Sequence, residues 1–503
     1  MEFQVLSHAG LLVKNKFGKS LICDPWLIGS SYWRSWWNYP PVSKTLIDSL
    51  HPDYIYLTHV HWDHFHGPSL KKFSPDTCII IPKGNYSRMK EDLNYLGFHN
   101  IIELKHGESK QLDVDFTITS YQVWMFLDSA LLIDCENIRL LNLNDSKHMG
   151  PTLKQITKKH KPIDFVFRSH SSANERLSYT VVDDPDTELD DLEKYIREFA
   201  LTAQATGARY AIPFASNHCH LHKDSIHFNE KIQHPKLVQK YFEDNKIHRP
   251  RVQVMVSGDS WSNAAGFNTS DKKWFDNRHI YLKEYLDQNS ATLNKFYEEE
   301  DNTIIETAVV EDYFRKLAKA LPFFMKLYFR NKMFTYVLNK AERPAYIFNV
   351  EITTGKVEQL SLSTQLNHEH YPIQIYTTAY IFLRGIEFRI FSHMCIGKRV
   401  FYRVTKSHKK YMEALNMVFN FYEYDMMPIS RNFSARSIQS WTMRWRELLL
   451  YSMFVRDIIF YKNIDLRKYL RPAPETSADV ADEEIIFNKQ KPGSEKTNPK
   501  ILP

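Results

Sequence analysis

Short apolar runs broken by turn residues fill the first half of the chain, and their length and spacing predict strands. Phe3–Leu6, Gly10–Val13 and Ser20–Asp24 read as consecutive strands, followed by Tyr54–Thr58, Thr77–Ile81 and Ile101–Leu104. Further strands are predicted at Phe116–Thr119, Ala130–Ile133, Ile138–Asn142, Phe165–Phe167, Tyr210–Ile212 and Val252–Val256. A helix is predicted over about Asp190–Thr206, where Leu192, Ile196, Phe199, Ala200 and Ala203 recur along one face and Gly207 stands at the stop. Strands with interspersed helices imply sheets layered under helices.

From about Asp271 the pattern turns helical and charged, with Phe314, Leu317, Leu321 and Phe324 at near-helical spacing. Strands return at Ala345–Ile352, Val357–Leu362, Ile373–Phe382 and Arg399–Val404, then helices at about Lys409–Phe421 and Ile438–Tyr461. The expected organisation is a first domain over residues 1–265, a helical connector over 266–340 and an α+β accessory domain over 341–471. The Pro-, Glu-, Lys- and Ser-rich tail over 472–503 is expected to be disordered.

A length of 503 residues exceeds what one core organises, which fits several domains. Hydrophobic residues make up 43% and charged residues 25%, the balance of a globular protein. The net charge of +6 is spread out, and the one basic run, Lys158–Lys161, reads as a solvated loop, so no nucleic-acid partner is expected. No membrane span is expected either, since the apolar stretch Tyr376–Ile390 is interrupted by Arg384 and Glu387. The five scattered cysteines form no C-x-x-C pair, which argues against a disulfide framework and against an iron–sulfur cluster. With no leader-like segment before Phe3, the expectation is a cytoplasmic protein.

The sharpest chemical signal is Thr58-His59-Val60-His61-Trp62-Asp63-His64, directly after a predicted strand. Imidazole nitrogens and carboxylate oxygens suit zinc, iron and manganese. Four such groups in six residues cannot all serve one metal from one regular element, but on a loop they can address two adjacent metals. H-x-H-x-D-H after a short strand resembles the signature of the metallo-β-lactamase superfamily, which implies an αββα sandwich. The resemblance implies that His59 and His61 bind one metal, and Asp63 and His64 a second.

Further strings, Asp24-Pro25-Trp26-Leu27, Trp36-Trp37, Pro213-Phe214-Ala215 and Gly258-Asp259-Ser260-Trp261, resemble the cytidine monophosphate N-acetylneuraminate hydroxylases and their bacterial relatives. Asp145 matches the position of the superfamily's bridging aspartate, with an Asx turn as the other reading. The resemblance places the last ligand at His222, with His218, His220 and His170 as rivals. Between Gln111 and Glu136 there is no histidine for the first metal's third ligand, so Gln122 or Asp128 would substitute, or the site would be three-coordinate with water completing it. His8 and Asp24 are expected beside the metal loop, orienting its ligands. Trp26, Trp33, Trp36 and Trp37 read as packing aromatics, with a cleft lining as their other role.

These implications define two function classes. The first is an iron-dependent oxygenase acting on a nucleotide-sugar or N-acyl compound. It would carry two divalent metal ions, with zinc as the alternative to iron. The hydroxylases it resembles also have a Rieske-type module, and its Cys-x-His pairs are absent here, so electrons would come from a separate donor protein. The second class is a hydrolase using metal-bound hydroxide on an ester, lactone, amide or phosphodiester, with Asp63 in the catalytic set of either. The accessory domain resembles a sterol-carrier-like fold through the predicted hairpin Tyr346–Val350 and Val357–Leu360. Oligomeric state is not legible from the chain.

Overall fold

The computed structural model describes residues 1–123, 128–146, 148, 150–171, 175–186 and 192–461. The tail expected to be disordered and the first residues of the helix expected from Asp190 lie outside the described residues.

Two sheets dominate the first half. One has eight strands in the order Gly266–Asn268, Ser260–Ser262, Glu2–Val5, Leu11–Lys14, Ser20–Cys23, Tyr54–Tyr56, Cys78–Pro82 and Ile101–Leu104. The other has seven, in the order Arg251–Val252, Tyr210–Phe214, Phe165–Ser169, Ile138–Asn144, Asp128–Cys135, Phe116–Val123 and Glu108–Asp113. Period-two alternation assigns their faces. Phe3, Val5, Leu11, Val13, Leu21 and Ile80 of the first sheet share one core with Ile118, Leu131, Ile133, Leu140, Phe165 and Ile212 of the second. The alternate residues Leu12, Ile22, Ile79 and Ile81 face outward onto Met89 and Leu93 of helix Arg88–Tyr95. On the far side, Leu132, Leu141, Val166 and Ala211 pack against helices Gly150–His160, Glu193–Thr206 and Pro235–Asp244. The result is the expected αββα sandwich.

A third sheet has six strands, in the order Tyr179–Val181, Phe401–Val404, Ile373–Thr378, Met333–Lys340, Arg343–Glu351 and Lys356–Gln359. Helices Thr307–Ala320, Ala379–Phe388 and Lys409–Glu423 share its core. This is an α+β unit, and the predicted hairpin is present as Arg343–Glu351 paired antiparallel with Lys356–Gln359. Its edge strand Tyr179–Val181 comes from the first half of the chain, and Trp33 is buried in its core. Two predicted elements divide. The run Ile373–Phe382 is a strand only to Thr378, whose hydroxyl accepts from the Ile381 amide and starts a helix there. The run Ile438–Tyr461 is two helices, Ala435–Met443 and Trp445–Tyr461. A small sheet that the pattern did not reveal pairs Trp36–Asn38 with Ser30–Ser31 and with His218–His220.

Candidate metal centre

The parallel strands Ser20–Cys23 and Tyr54–Tyr56 end side by side, and the chemistry begins where they end. Asp24, fully buried after the first, accepts from the Thr58 amide at 2.8 Å, from the Thr58 hydroxyl at 2.7 Å and from His64 Nδ1 at 2.8 Å. These three bonds fold the loop after Tyr56 back onto the strand end. They also set the histidine tautomers. With its proton given to Asp24, the Thr58 oxygen accepts from His59 Nδ1 at 3.0 Å. Asp128 Oδ1 stands 3.6 Å from the same His59 nitrogen. Both His59 and His64 therefore have Nδ1 engaged by the scaffold, the arrangement that orients imidazoles for ligation through Nε2.

Those Nε2 atoms converge with other donors. His59 Nε2 lies 2.9 Å from His61 Nδ1. His64 Nε2 stands 3.4 Å from both Asp63 Oδ2 and Asp145 Oδ2 and makes no hydrogen bond. His8 Nε2 meets Asp63 Oδ2 at 2.9 Å, and the Tyr32 hydroxyl donates to Asp63 Oδ1 at 2.5 Å. Two groups of ligand-type atoms result, His59–His64–Asp145 and His8–Asp63–His64, each with all its atoms within 4.8 Å of one another.

The electrostatics are those of a buried cluster short of positive charge. Burial, helped by neighbouring His64 and His61, holds His59 well below the usual histidine range. Burial works against ionisation of Asp63, yet His64 and His8 pull it well below the usual carboxylate range. Burial also opposes a charge on His64, but Asp63 and Asp24 overcome it and raise its basicity well above the usual histidine range. A cation at Nε2 would face the Asp63 and Asp145 carboxylates. An orphaned buried nitrogen between two carboxylates, beside two converging imidazole nitrogens, fits divalent metal of the mixed nitrogen–oxygen kind.

Several predicted residues stand elsewhere. His222 does not join the cluster. The strand His218–His220 ends two residues earlier, and the turn that follows, with the Ser225 and Ile226 amides donating to the His222 carbonyl, sends its ring toward Asp224 and Glu300. There His222 Nδ1 is 3.5 Å from Asp224 and Nε2 is 3.6 Å from Glu300. His220 bonds Ser35 at 2.8 Å, and the Gln122 side-chain Nε2 donates to the Leu104 carbonyl at 3.0 Å. His170 is buried, its amide bonded to Ser216 and its ring pushed down to about 3 by burial. His218 stacks on Trp36 at 3.7 Å, with His8 at 5.5 Å. Trp26 and Trp36 pack around Tyr32 in a small buried cluster, and Trp37 packs in a separate core.

The C-terminal unit reaches this site, through a residue that sequence reasoning passed over. His393 is buried, with its ring 5.1 Å from His61 and 5.7 Å from Trp62. Its Nε2 bonds the Tyr424 hydroxyl at 2.8 Å, while its Nδ1 has no hydrogen-bond partner. The turn Phe391–His393 is held by Glu423, whose carboxylate accepts from the Phe391 and Ser392 amides. No local signal in Ile390-Phe391-Ser392-His393-Met394 marks it.

No protein-family model matches the chain. Among curated proteins, a Mycolicibacterium smegmatis protein named as a Rieske 2Fe-2S iron–sulfur protein is 31% identical over 157 residues, 29% of this chain and 30% of that one. The cytidine monophosphate-N-acetylneuraminic acid hydroxylase of Gorilla gorilla gorilla is 32% identical over 154 residues, 29% of this chain and 25% of that one. Among solved structures, CmlA, a diiron β-hydroxylase from Streptomyces venezuelae, aligns with a TM-score of 0.36 at 14% identity, covering 52% of this chain and 53% of that one. The matches to curated relatives span between a quarter and a half of those proteins' length. Over 29% of its own length, then, the chain is similar to the cytidine monophosphate-N-acetylneuraminic acid hydroxylases that its motifs resemble.

Proposed function

We propose that this chain is a metal-dependent enzyme, an oxygenase using iron at the His59–His61–Asp63–His64 cluster, acting on a nucleotide-sugar or N-acyl compound. The observation that carries the metal reading is the convergence of His59, His64 and Asp145, and of His8, Asp63 and His64, with His64 Nε2 unpartnered between carboxylates. Preference for oxygenation over hydrolysis is supported by the likeness to proteins named hydroxylases.

In this reading His59 and His61 would hold one iron and Asp63, His64 and His8 a second, with Asp145 as a further ligand. The bound metal supplies the redox change that activates dioxygen, with electrons from a separate donor protein. The protein's own part is positioning. Asp24 and Thr58 fix the two Nε2 faces, and Tyr32 holds Asp63 by its outer oxygen. His393 and Tyr424 place a polar pair beside His61, where a substrate group can be oriented.

The test is reconstitution of metal-free protein with iron or zinc, with reductant and labelled dioxygen, against a panel of nucleotide-sugars and N-acyl compounds. Label from dioxygen in the product, with iron alone, supports the oxygenase. Turnover with zinc and label from water assign the site to hydrolysis instead.

A further inference from the structure

Beside the metal loop lies a cavity of about 480 Å³, within the size range of small-molecule sites. The loop itself forms one wall through Val60, Trp62 and Phe65. Tyr32 and Trp33 form the next, and Tyr380 and Phe388 of the C-terminal unit face them. His393 and Tyr424 also line it; the His393 ring is 5.1 Å from His61, and Tyr32 bonds Asp63, so lining side chains stand between the cavity and the metal loop.

Its charge balance is informative. Three arginines line the cavity, and each is already committed. Arg34 pairs with Glu299 and Glu300 and is stacked between the Phe296 and Tyr380 rings at 4.3 and 4.4 Å. Arg384 pairs with Glu387. Arg88 donates to the carbonyl oxygens of Phe388, Arg389 and Glu423 and stands 3.5 Å from Asp92, itself a lining residue. Each of these guanidiniums already has a partner within the protein, Arg384 through an exposed pair on its own helix. The rest of the lining is mainly aromatic and aliphatic, with Ser30, Ser31 and His66 among its polar residues, and three of its buried polar atoms have no hydrogen-bond partner: Ser31 Oγ, Trp33 Nε1 and His393 Nδ1.

We propose that this cavity is the substrate site of the metal centre, and that it takes a neutral, ring-bearing compound with a hydrogen-bonding group that meets His393. The inference rests on the metal-enzyme reading and narrows it: of the two substrate classes named above, the phosphate-bearing one is disfavoured. A phosphate entering here would be desolvated without a free guanidinium and beside Asp92. A flat apolar body gains the burial of its ring faces against Trp33, Trp62 and Tyr380. Tyr424 holds His393 from behind, so the free nitrogen is fixed in direction before the ligand arrives.

Equilibrium dialysis of the full chain against 2-naphthol, naphthalene and 2-naphthyl phosphate tests it, with metal content measured on the same samples. The expected result is saturable binding of 2-naphthol, with the phosphate ester at least tenfold weaker. His393→Phe, which keeps the ring and removes the nitrogens, should weaken 2-naphthol at least fivefold and leave naphthalene unchanged. Leu96→Trp, at the half-buried rim, should weaken all apolar probes. If His393→Phe is insoluble, the rim variant and the phosphate comparison still decide. Equal or tighter binding of the phosphate ester, or no effect of Leu96→Trp, overturns the proposal. Protein that keeps its metal but binds no naphthol fails this inference alone, and protein that binds naphthol but no metal fails the metal reading alone.

Discussion

The carboxylate of Asp24 accepts from His64 Nδ1 at 2.8 Å, joining the end of one strand to the last histidine of a loop that begins after its neighbour. The same carboxylate takes the amide and hydroxyl of Thr58, so one buried side chain sets the path of the loop and the tautomers of two histidines. Asp24→Asn keeps the shape but offers one acceptor oxygen in place of two. Metal affinity should fall by about 10- to 100-fold, the usual cost of losing a group that orients a ligating histidine. Competition with a chromophoric chelator measures this, and an unchanged affinity would remove Asp24 from the orienting role.

Replacing His59 and His61 together by Ala should strip bound metal while the sandwich stays folded. Their side chains sit on the loop, and the shared core is built from strand residues such as Val13, Leu131 and Ile212. Elemental analysis and far-ultraviolet circular dichroism on one sample separate the two effects. Full metal content in the double variant would disprove the assignment.

Arg399 is buried between Glu300 and Asp224 and donates to the Trp33 carbonyl at 2.7 Å, across 366 positions of sequence. Burial alone would push the Glu300 carboxyl up, but Arg399 and His222 bring it to about 2. Arg399→Met leaves Asp224 without its guanidinium and Glu300 with Arg34 alone. The expected loss is about 3–5 kcal/mol, typical of removing one partner of a buried ion pair. Urea unfolding measures it, and a loss below about 1 kcal/mol would mean that the cluster carries little.

Glu423 carries a pH signature. Burial pushes its carboxyl up to about 7, although the Ser392 and Phe391 amides pull the other way. The folded state keeps this proton at pH values where the unfolded chain has lost it. Its contribution to stability is therefore full below about pH 4.5 and declines as pH rises through about 7, by a total on the order of 3 kcal/mol. Glu423→Gln cannot ionise, so the difference in urea midpoint between variant and parent should change steadily from pH 4.5 to 8. A constant difference would show that the carboxyl titrates normally.

How much of this was legible in the chain depends on sequence distance. The sandwich was readable because each strand states its two faces locally, as Leu131 and Ile133 alternate with Ala130 and Leu132. The candidate metal loop was readable because its donor-type side chains are crowded into one segment. The strand–helix junction at Thr378 was not, since Ile373–Phe382 is apolar throughout and the decision rests on one capping hydroxyl. Nor was the meeting of His393 with His61, or of Arg399 with Trp33, because such pairs leave no periodicity behind.

The last ligand position separates the sequence reading from the structural one. The motif resemblance pointed to His222, but the ring of His222 lies between Asp224 and Glu300, and burial with the charge of Arg399 lowers its basicity. His8, expected only to orient other groups, stands 2.9 Å from Asp63 in one group with His64. If proximity to the carboxylates decides, His8→Ala should lower metal affinity at least tenfold, and His222→Ala should leave it within about twofold of the parent. His222→Ala should instead reduce stability by about 1–3 kcal/mol, because it removes a side chain that contacts two buried or half-buried carboxylates. Metal titration and urea unfolding on both variants give four numbers. The opposite pairing, with metal lost from His222→Ala and kept in His8→Ala, would return the ligand to the position the motif favoured and require the turn after His220 to rearrange when metal binds.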